Sequence, residues 1–446
     1  MSKKLIIIGF FILFLFLIIY SYFGVQNNYF FSDDFEWLSR GIISMSNPLE
    51  IFRIKGRDFN PLFIIITSVL IKFFGLSPFF YRVFIFIIFF ITMYMLYRIM
   101  LIILKTDSRI AIISVFLLSM NMYISEILLN FSAFVYLLSF LFFLISLFFY
   151  NRKEYPLFTL FLIIALLFKE TIFLAFLTLL FLKKELKGKI ILIVSLLSFI
   201  ILRIILQTGS SSHYTSFLSY KYLLIKIYLV FFRAININPY SIPPIIGFLI
   251  IILFLLISVL LIKKDKKYLF PLSFFFIYLS FFSVFPKLSS RYLFFPAIGF
   301  ILFLSIALND LTEKLKKFVY LLIIISFLYN SPLIKREVED YKILGEFSKN
   351  YIKKQKYIIK NRFKISTPFT INQGNYESIK TLYLLIHKRG NLPKLLPIRK
   401  KAIGGMIYPE DLVPIIFYPK YIAIWKTLKK TNNGYYGKIL ILKRRQ

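Results

Sequence analysis

The chain has 446 residues, of which 59% are hydrophobic and 20% aromatic, with 56 Lys and Arg against 20 Asp and Glu. A mean hydropathy of +0.78 excludes an ordinary soluble domain and implies a polytopic α-helical membrane protein. Cysteine is absent and histidine occurs only at His213 and His387, which excludes disulfides, thiolate centres and a histidine-built zinc site.

Lys3-Lys4 precede an apolar run over 5–23 that ends in Tyr20, Tyr22 and Phe23 without a small-x-small cleavage site. It reads as a retained first helix with its N-terminus in the cytoplasm. Phe31-Ser32-Asp33-Asp34-Phe35-Glu36-Trp37 follows, placing three acids within four positions at the membrane surface. A carboxylate there costs free energy unless something binds it. Asp33 with Glu36 also makes an acidic version of the capping box, a reading that leaves Asp34 unexplained. Residues 61–75, after Asn60-Pro61 and carrying Lys72, predict an interfacial helix inside a long first external loop, 24–78.

Apolar segments then fall at 79–104, 109–125, 127–150, 156–168, 171–182, 190–206, 244–262, 268–285, 291–308 and 317–330, eleven crossings with the first. With the N-terminus inside, the cytoplasmic turns are Lys105/Arg109, Arg152/Lys153, Lys183/Lys184/Lys187/Lys189, Lys263/Lys264/Lys266/Lys267 and Lys314/Lys316/Lys317. All these dense basic loops share one side, as the positive-inside rule demands. The pair 156–168 and 171–182 fits this parity as a V with Lys169-Glu170 at its tip, sunk below the outer surface. The loop 207–243 and the turn Pro286–Ser290 fall outside.

Residues 331–446 form a second, external region with 25 Lys and Arg against 7 Asp and Glu. This is a solvated basic surface over anionic lipid heads or a surface that gathers phosphate-bearing substrates. A helix over 333–358, starting near Ser331-Pro332, precedes short β-like runs at Lys364–Thr367, Tyr421–Trp425 and Lys438–Leu442. A small α/β domain is expected there, after a membrane domain over 1–330.

The topology gathers Asp33, Asp34, Glu36, Arg57, Asp58, Glu126, Lys169, Glu170, His213, Lys287 and Arg291 on the external boundary. Such a set holds general-base carboxylates and phosphate-binding cations. Each has a plainer reading: Lys169-Glu170 as an internal ion pair, Arg291-Tyr292 as a boundary anchor, Glu126 as a span terminator, His213 as an incidental loop residue.

The order of these features resembles the GT-C membrane glycosyltransferases, especially protein O-mannosyltransferases and aminoarabinose-lipid A transferases. The resemblance covers roughly residues 1–310 and rests on Asp33-Asp34 in a long external loop, an interfacial stretch ending in Phe74-Gly75, a helix opened by Tyr81-Arg82, Lys169-Glu170 after a short helix, and Arg291-Tyr292 followed by Pro296. It implies a GT-C-like bundle with an external C-terminal domain, a polyprenyl-phosphate-linked sugar donor, and hexosyl or pentosyl transfer to a hydroxyl acceptor (glycan, lipid or protein). Asp33 matches the family's catalytic aspartate, Asp34 the acid after it, and Lys169 a lysine that contacts the donor phosphate. Glu126 falls near a second acid of some relatives, and Glu36 departs from the basic residue of the lipid A branch. Asp33 and Asp34 are therefore the expected catalytic pair, with Arg57, Asp58, Glu126, Lys169, Glu170, Arg291 and Tyr292 expected to bind substrate.

The reaction is expected to be inverting, with Asp33 as base and Lys169, with Arg291 or Arg57, stabilising the leaving phosphate. A metal bridging Asp33 and Glu126 is not favoured, because a monophosphate donor already carries its leaving group. No cofactor and no nucleic-acid partner are expected, and the membrane lipid is a partner. The expected location is a prokaryotic cytoplasmic (inner) membrane. The alternatives are a transporter or flippase of lipid-linked glycans, which would need no external base, and a membrane scaffold.

Overall fold

The computed structural model describes residues 12, 16–30, 34–52, 59–122, 124–182, 186–206, 223–237, 239, 242–284, 290–361, 421–431 and 434–443. Asp33, Arg57, Asp58, His213, Lys287 and the run Lys364–Thr367 lie outside them. The helices are α1 (16–22), α2 (Asp34–Ser46), α3 (Pro61–Phe74), α4 (Pro78–Ile102), α5 (Ser108–Ser119), α6 (Glu126–Leu129), α7 (Phe134–Arg152) and α8 (Tyr155–Phe168). They continue as α9 (Phe173–Thr178), α10 (Leu186–Leu206), α11 (Leu223–Ala234), α12 (Pro244–Lys264), α13 (Leu269–Ser283), α14 (Phe294–Asp310) and α15 (Glu313–Asn361). Two strands, β1 (Tyr421–Thr431) and β2 (Gly434–Lys443), pair antiparallel with Ile424 opposite Leu440, and contain the predicted runs Tyr421–Trp425 and Lys438–Leu442.

Proline opens α3, α4, α8 and α12, at the position where a missing N–H costs nothing. Among the described residues, five helical stretches are long and apolar enough to cross a membrane: Pro78–Ile102, Phe131–Arg152, Pro244–Lys264, Arg291–Asp310 and Glu313–Lys335. At about 1.5 Å per residue, roughly 20 residues cover the hydrocarbon core. The 14-residue α3 falls short of that length, in keeping with the expectation that 61–75 does not cross. Along α12 only Gly247, Ile251 and Ser258 are buried, so its outer surface is almost wholly aliphatic, as a lipid-facing helix requires.

Polar contacts sort the helix ends into two groups. At one end Asp107 caps α5 through the Arg109 N–H (2.8 Å), and its own N–H donates to Asn309 Oδ1 (3.0 Å) at the end of α14. Lys267 Nζ donates to Asp310 Oδ1 (2.8 Å), and the Tyr268 hydroxyl donates to Asp310 Oδ2 (2.6 Å). The basic turns 105–109 and 263–268 thereby meet the end of α14. The starts of α4, α7 and α14 lie at the opposite end.

The hairpin α7–α8 joins the two ends. Tyr150 and Phe158 lie 4.9 Å apart near the basic turn, while Lys169 Nζ sits 5.4 Å above Tyr136 near the start of α7. Lys169 then breaks the helix with extended backbone, φ −152° and ψ 116°. Phe176 of α9 returns to within 6.4 Å of Phe158. A straight helix would hold those two rings about 27 Å apart, so the chain reverses at Lys169 as the V-shaped reading requires. The Tyr278 hydroxyl fastens the return, donating to Thr171 O (2.9 Å) and accepting from the Ala175 N–H (3.1 Å).

Two predicted boundaries are corrected. The helix expected to start at Ser331-Pro332 is instead the continuation of α15, which runs 49 residues with Pro332 inside it. Packing against the first helix offsets the hydrogen bond that the proline removes. Ser21 and Ser331 share a hydroxyl hydrogen bond (2.7 Å), Asn28 Nδ2 donates to Val338 O (3.2 Å), and Lys335 Nζ lies 4.2 Å over the Tyr20 ring. The loop read over 207–243 also contains a helix, α11, with Tyr228, Val230, Phe231, Phe232 and Arg233 buried. Twelve residues carrying Lys226 and Arg233 are too few and too charged to register as a span.

Candidate active site

At the end opposite the basic turns, α2 begins with Asp34, whose side chain is completely buried. Its Oδ1 accepts a 2.7 Å hydrogen bond from the Ser132 N–H, and its Oδ2 lies 3.7 Å from Arg82 Nη2. Arg82 sits one turn into α4 and is 1% exposed. Local sequence aims it there. Gly75 takes a positive φ of 57° to end α3, and its carbonyl accepts from the Tyr81 hydroxyl at 2.7 Å. The Tyr81 ring then packs edge-on against Phe30 (5.0 Å) and Phe131 (5.1 Å), which brings its neighbour Arg82 onto the start of α2.

Asn130-Phe131-Ser132 starts the α7 span and joins this pair to a second one. The Ser132 N–H lies between Asp34 Oδ1 and Asn130 Oδ1 (3.0 Å), and the Ser132 hydroxyl donates to Asn130 Oδ1 (2.8 Å). Arg291 Nη1 donates to that hydroxyl (3.1 Å). Glu126, buried at the start of α6, accepts from the Arg291 N–H at Oε2 (2.9 Å) and holds its Oε1 3.9 Å from Arg291 Nε. Five elements thus supply one continuous polar cluster: Arg82, Asp34, Ser132 with Asn130, Arg291 and Glu126.

Aromatic rings connect the cluster to Lys169. Tyr292 follows Arg291, stacks on Phe282 (5.1 Å) and meets Tyr136 edge-on (6.2 Å). Lys169 Nζ lies over that same Tyr136 ring, the favourable side for a cation. Glu170, half-buried, opens the short 3-10 turn that follows. The Asn60 side chain, at the start of α3, is oriented so that its nitrogen donates to Phe168 O and Phe59 O (both 2.9 Å), tying α3 to the residue before Lys169.

Of the residues expected from sequence, Asp34, Glu126, Lys169, Arg291 and Tyr292 come together here, with Glu170 beside them; Asp33, Arg57 and Asp58 lie outside the described residues. Sequence reading gave no role to Arg82, Asn130, Ser132 or Tyr136. Arg82 carried a usable signal, a lone charge one turn into a long apolar helix. Asn130-x-Ser132 before an apolar run is a helix-start pattern that could have marked the second junction. Nothing local distinguishes Tyr136.

The chain matches no known protein-family profile and no curated protein sequence. Among solved structures it is similar to the crystal structure of ArnT from Cupriavidus metallidurans bound to undecaprenyl phosphate, with a TM-score of 0.45 and 11% identity, covering 85% of this chain and 75% of that one. An overlap of that size assigns neither fold family nor reaction.

Proposed function

We propose that the chain is an inverting glycosyltransferase of the GT-C type, moving a sugar from a polyprenyl-phosphate donor to a hydroxyl acceptor on the external face of the membrane. The observation that carries this reading is the buried acid–cation cluster built from Asp34, Arg82, Ser132, Arg291 and Glu126, with Lys169 joined to it through Tyr136 and Tyr292. A neutral apolar bundle has no use for these charges, each of which costs free energy to hold.

Asp33, one residue before the fixed Asp34, is the proposed base. It takes the proton of the acceptor hydroxyl while that oxygen attacks the anomeric carbon. The bond from that carbon to the phosphate oxygen breaks, and polyprenyl phosphate leaves with the electron pair. One displacement inverts the anomer. Lys169 and Arg291 are the proposed stabilisers of charge on the leaving phosphate, a task suited to preorganised cations in a water-poor site. Asp34, already engaged by Arg82 and the Ser132 N–H, is assigned to holding the start of α2.

Purified protein in lipid nanodiscs, given polyprenyl phosphate carrying a labelled sugar and a panel of hydroxyl acceptors, tests this. The proposal expects acceptor-dependent release of polyprenyl phosphate and a product of inverted anomeric configuration. In sealed proteoliposomes, movement of intact donor across the bilayer without release would favour a flippase and reject the transferase.

A further inference from the structure

We infer that Ser132 is a positioning residue that sets the acidic and cationic sides of the site relative to each other, an assignment that rests on the transferase reading above. Its backbone N–H holds Asp34 at 2.7 Å, while its hydroxyl accepts from Arg291 Nη1 at 3.1 Å. One small side chain and its own backbone thus touch both halves of the cluster.

The hydroxyl is directed as well as placed. Its single proton is committed to Asn130 Oδ1 (2.8 Å), which leaves the oxygen lone pairs to receive the guanidinium. Asn130 Oδ1 also takes the Ser132 N–H at 3.0 Å, so one amide oxygen fixes both polar groups of the serine. Ser132 is 2% exposed and lies in the short turn that begins the α7 span, so burial and the helix start together restrict its movement. Glu126 grips the backbone N–H of Arg291, but its carboxylate is 3.9 Å from Nε, beyond a good hydrogen bond. The serine hydroxyl is thus a direct hydrogen-bond partner of the guanidinium, and Asn130 aims the hydroxyl.

Ser132→Ala removes only the hydroxyl and keeps the N–H that holds Asp34, so it isolates the Arg291 half of the function. Steady-state transfer is measured in nanodiscs for the wild type, S132A, R291K and the double variant, with thermal midpoints alongside. S132A is expected to lower kcat about tenfold, the change that about 1.4 kcal/mol of barrier gives, with donor KM and thermal midpoint nearly unchanged. In the R291K background, where the guanidinium fork is gone, the same substitution is expected to change kcat less than about twofold. Full kcat in S132A, an equal loss in both backgrounds, or a loss that accompanies a lower midpoint would overturn the assignment. A wild type that transfers no sugar would remove the transferase reading and this inference together, whereas an active wild type with any of those three results removes Ser132 alone.

Discussion

Asp34 and Arg82 behave as one unit, because neither charge has access to water. Asp34→Asn leaves the guanidinium buried beside a neutral amide, which for a broken buried pair costs about 3–5 kcal/mol. The expected outcome is a clear fall in thermal midpoint in detergent for D34N, with part of it recovered in D34N/R82Q, where both charges are gone. Additive losses in the double variant would show that the two residues do not depend on each other. Lys169 is a different case. It rests over Tyr136 at a helix break, and its proposed task is to meet a phosphate. Lys169→Met keeps the aliphatic stem and should weaken donor affinity about tenfold or more with little change in midpoint. Unchanged donor affinity in K169M, measured by titration with labelled donor, would take the lysine out of the phosphate role. Asp34 and Glu126 were legible in sequence because acids are scarce, 20 in 446 residues, and Lys169 and Arg291 because they interrupt apolar runs. Their pairing was not, since Arg82, Ser132 and Tyr136 meet them only through tertiary packing.

Two contacts carry the arrangement of elements. Gly299 lets α14 lie against α13 so closely that an added Cβ would stand 2.5 Å from the Phe275 backbone nitrogen. Gly299→Val must therefore push the helices apart and is expected to destabilise the protein by several degrees or prevent its accumulation, a cost typical of overpacking. A variant as stable as the wild type would mean that the interface is looser than described. At the basic end, burial alone would lower the Lys267 ammonium, but its hydrogen bonds and charge contact with Asp310 hold it above its ordinary range. The lysine keeps its proton longer in the folded protein, so its contribution is whole below about pH 10 and is lost as pH rises beyond the ordinary lysine range. Stability should fall more steeply above about pH 10 in the wild type than in D310N, read from melting curves across that range; parallel profiles would contradict the clamp. The long apolar helices were legible because hydropathy and proline starts mark them, whereas the short, charged α11 was not. The unbroken α15 was not, because Ser331-Pro332 carries the local signature of a boundary and only contact with Ser21, Tyr20 and Asn28 overrides it.

For the molecule as a whole, the basic turns 105–109 and 263–268 meet the end of α14, and the acid–cation cluster lies at its start. The absence of cysteine makes this directly testable, since Lys266→Cys and Ile237→Cys each introduce a lone thiol at an exposed position. Ile237 follows α11 beside Asn236, whose Oδ1 accepts from the Met122 N–H (3.2 Å) just past α5, at the end away from the basic turns. In intact cells an impermeant maleimide should label the I237C variant and spare K266C; the reverse pattern would invert the topology. The central claim is chemical, and Asp33 tests it most directly. Donor binding and sugar transfer are measured on the same nanodisc preparation of wild type and Asp33→Asn. The account predicts that D33N binds labelled polyprenyl-phosphate sugar as the wild type does, yet transfers at least about a hundredfold more slowly, within the range that general-base catalysis supplies. Near-normal transfer by D33N would contradict it.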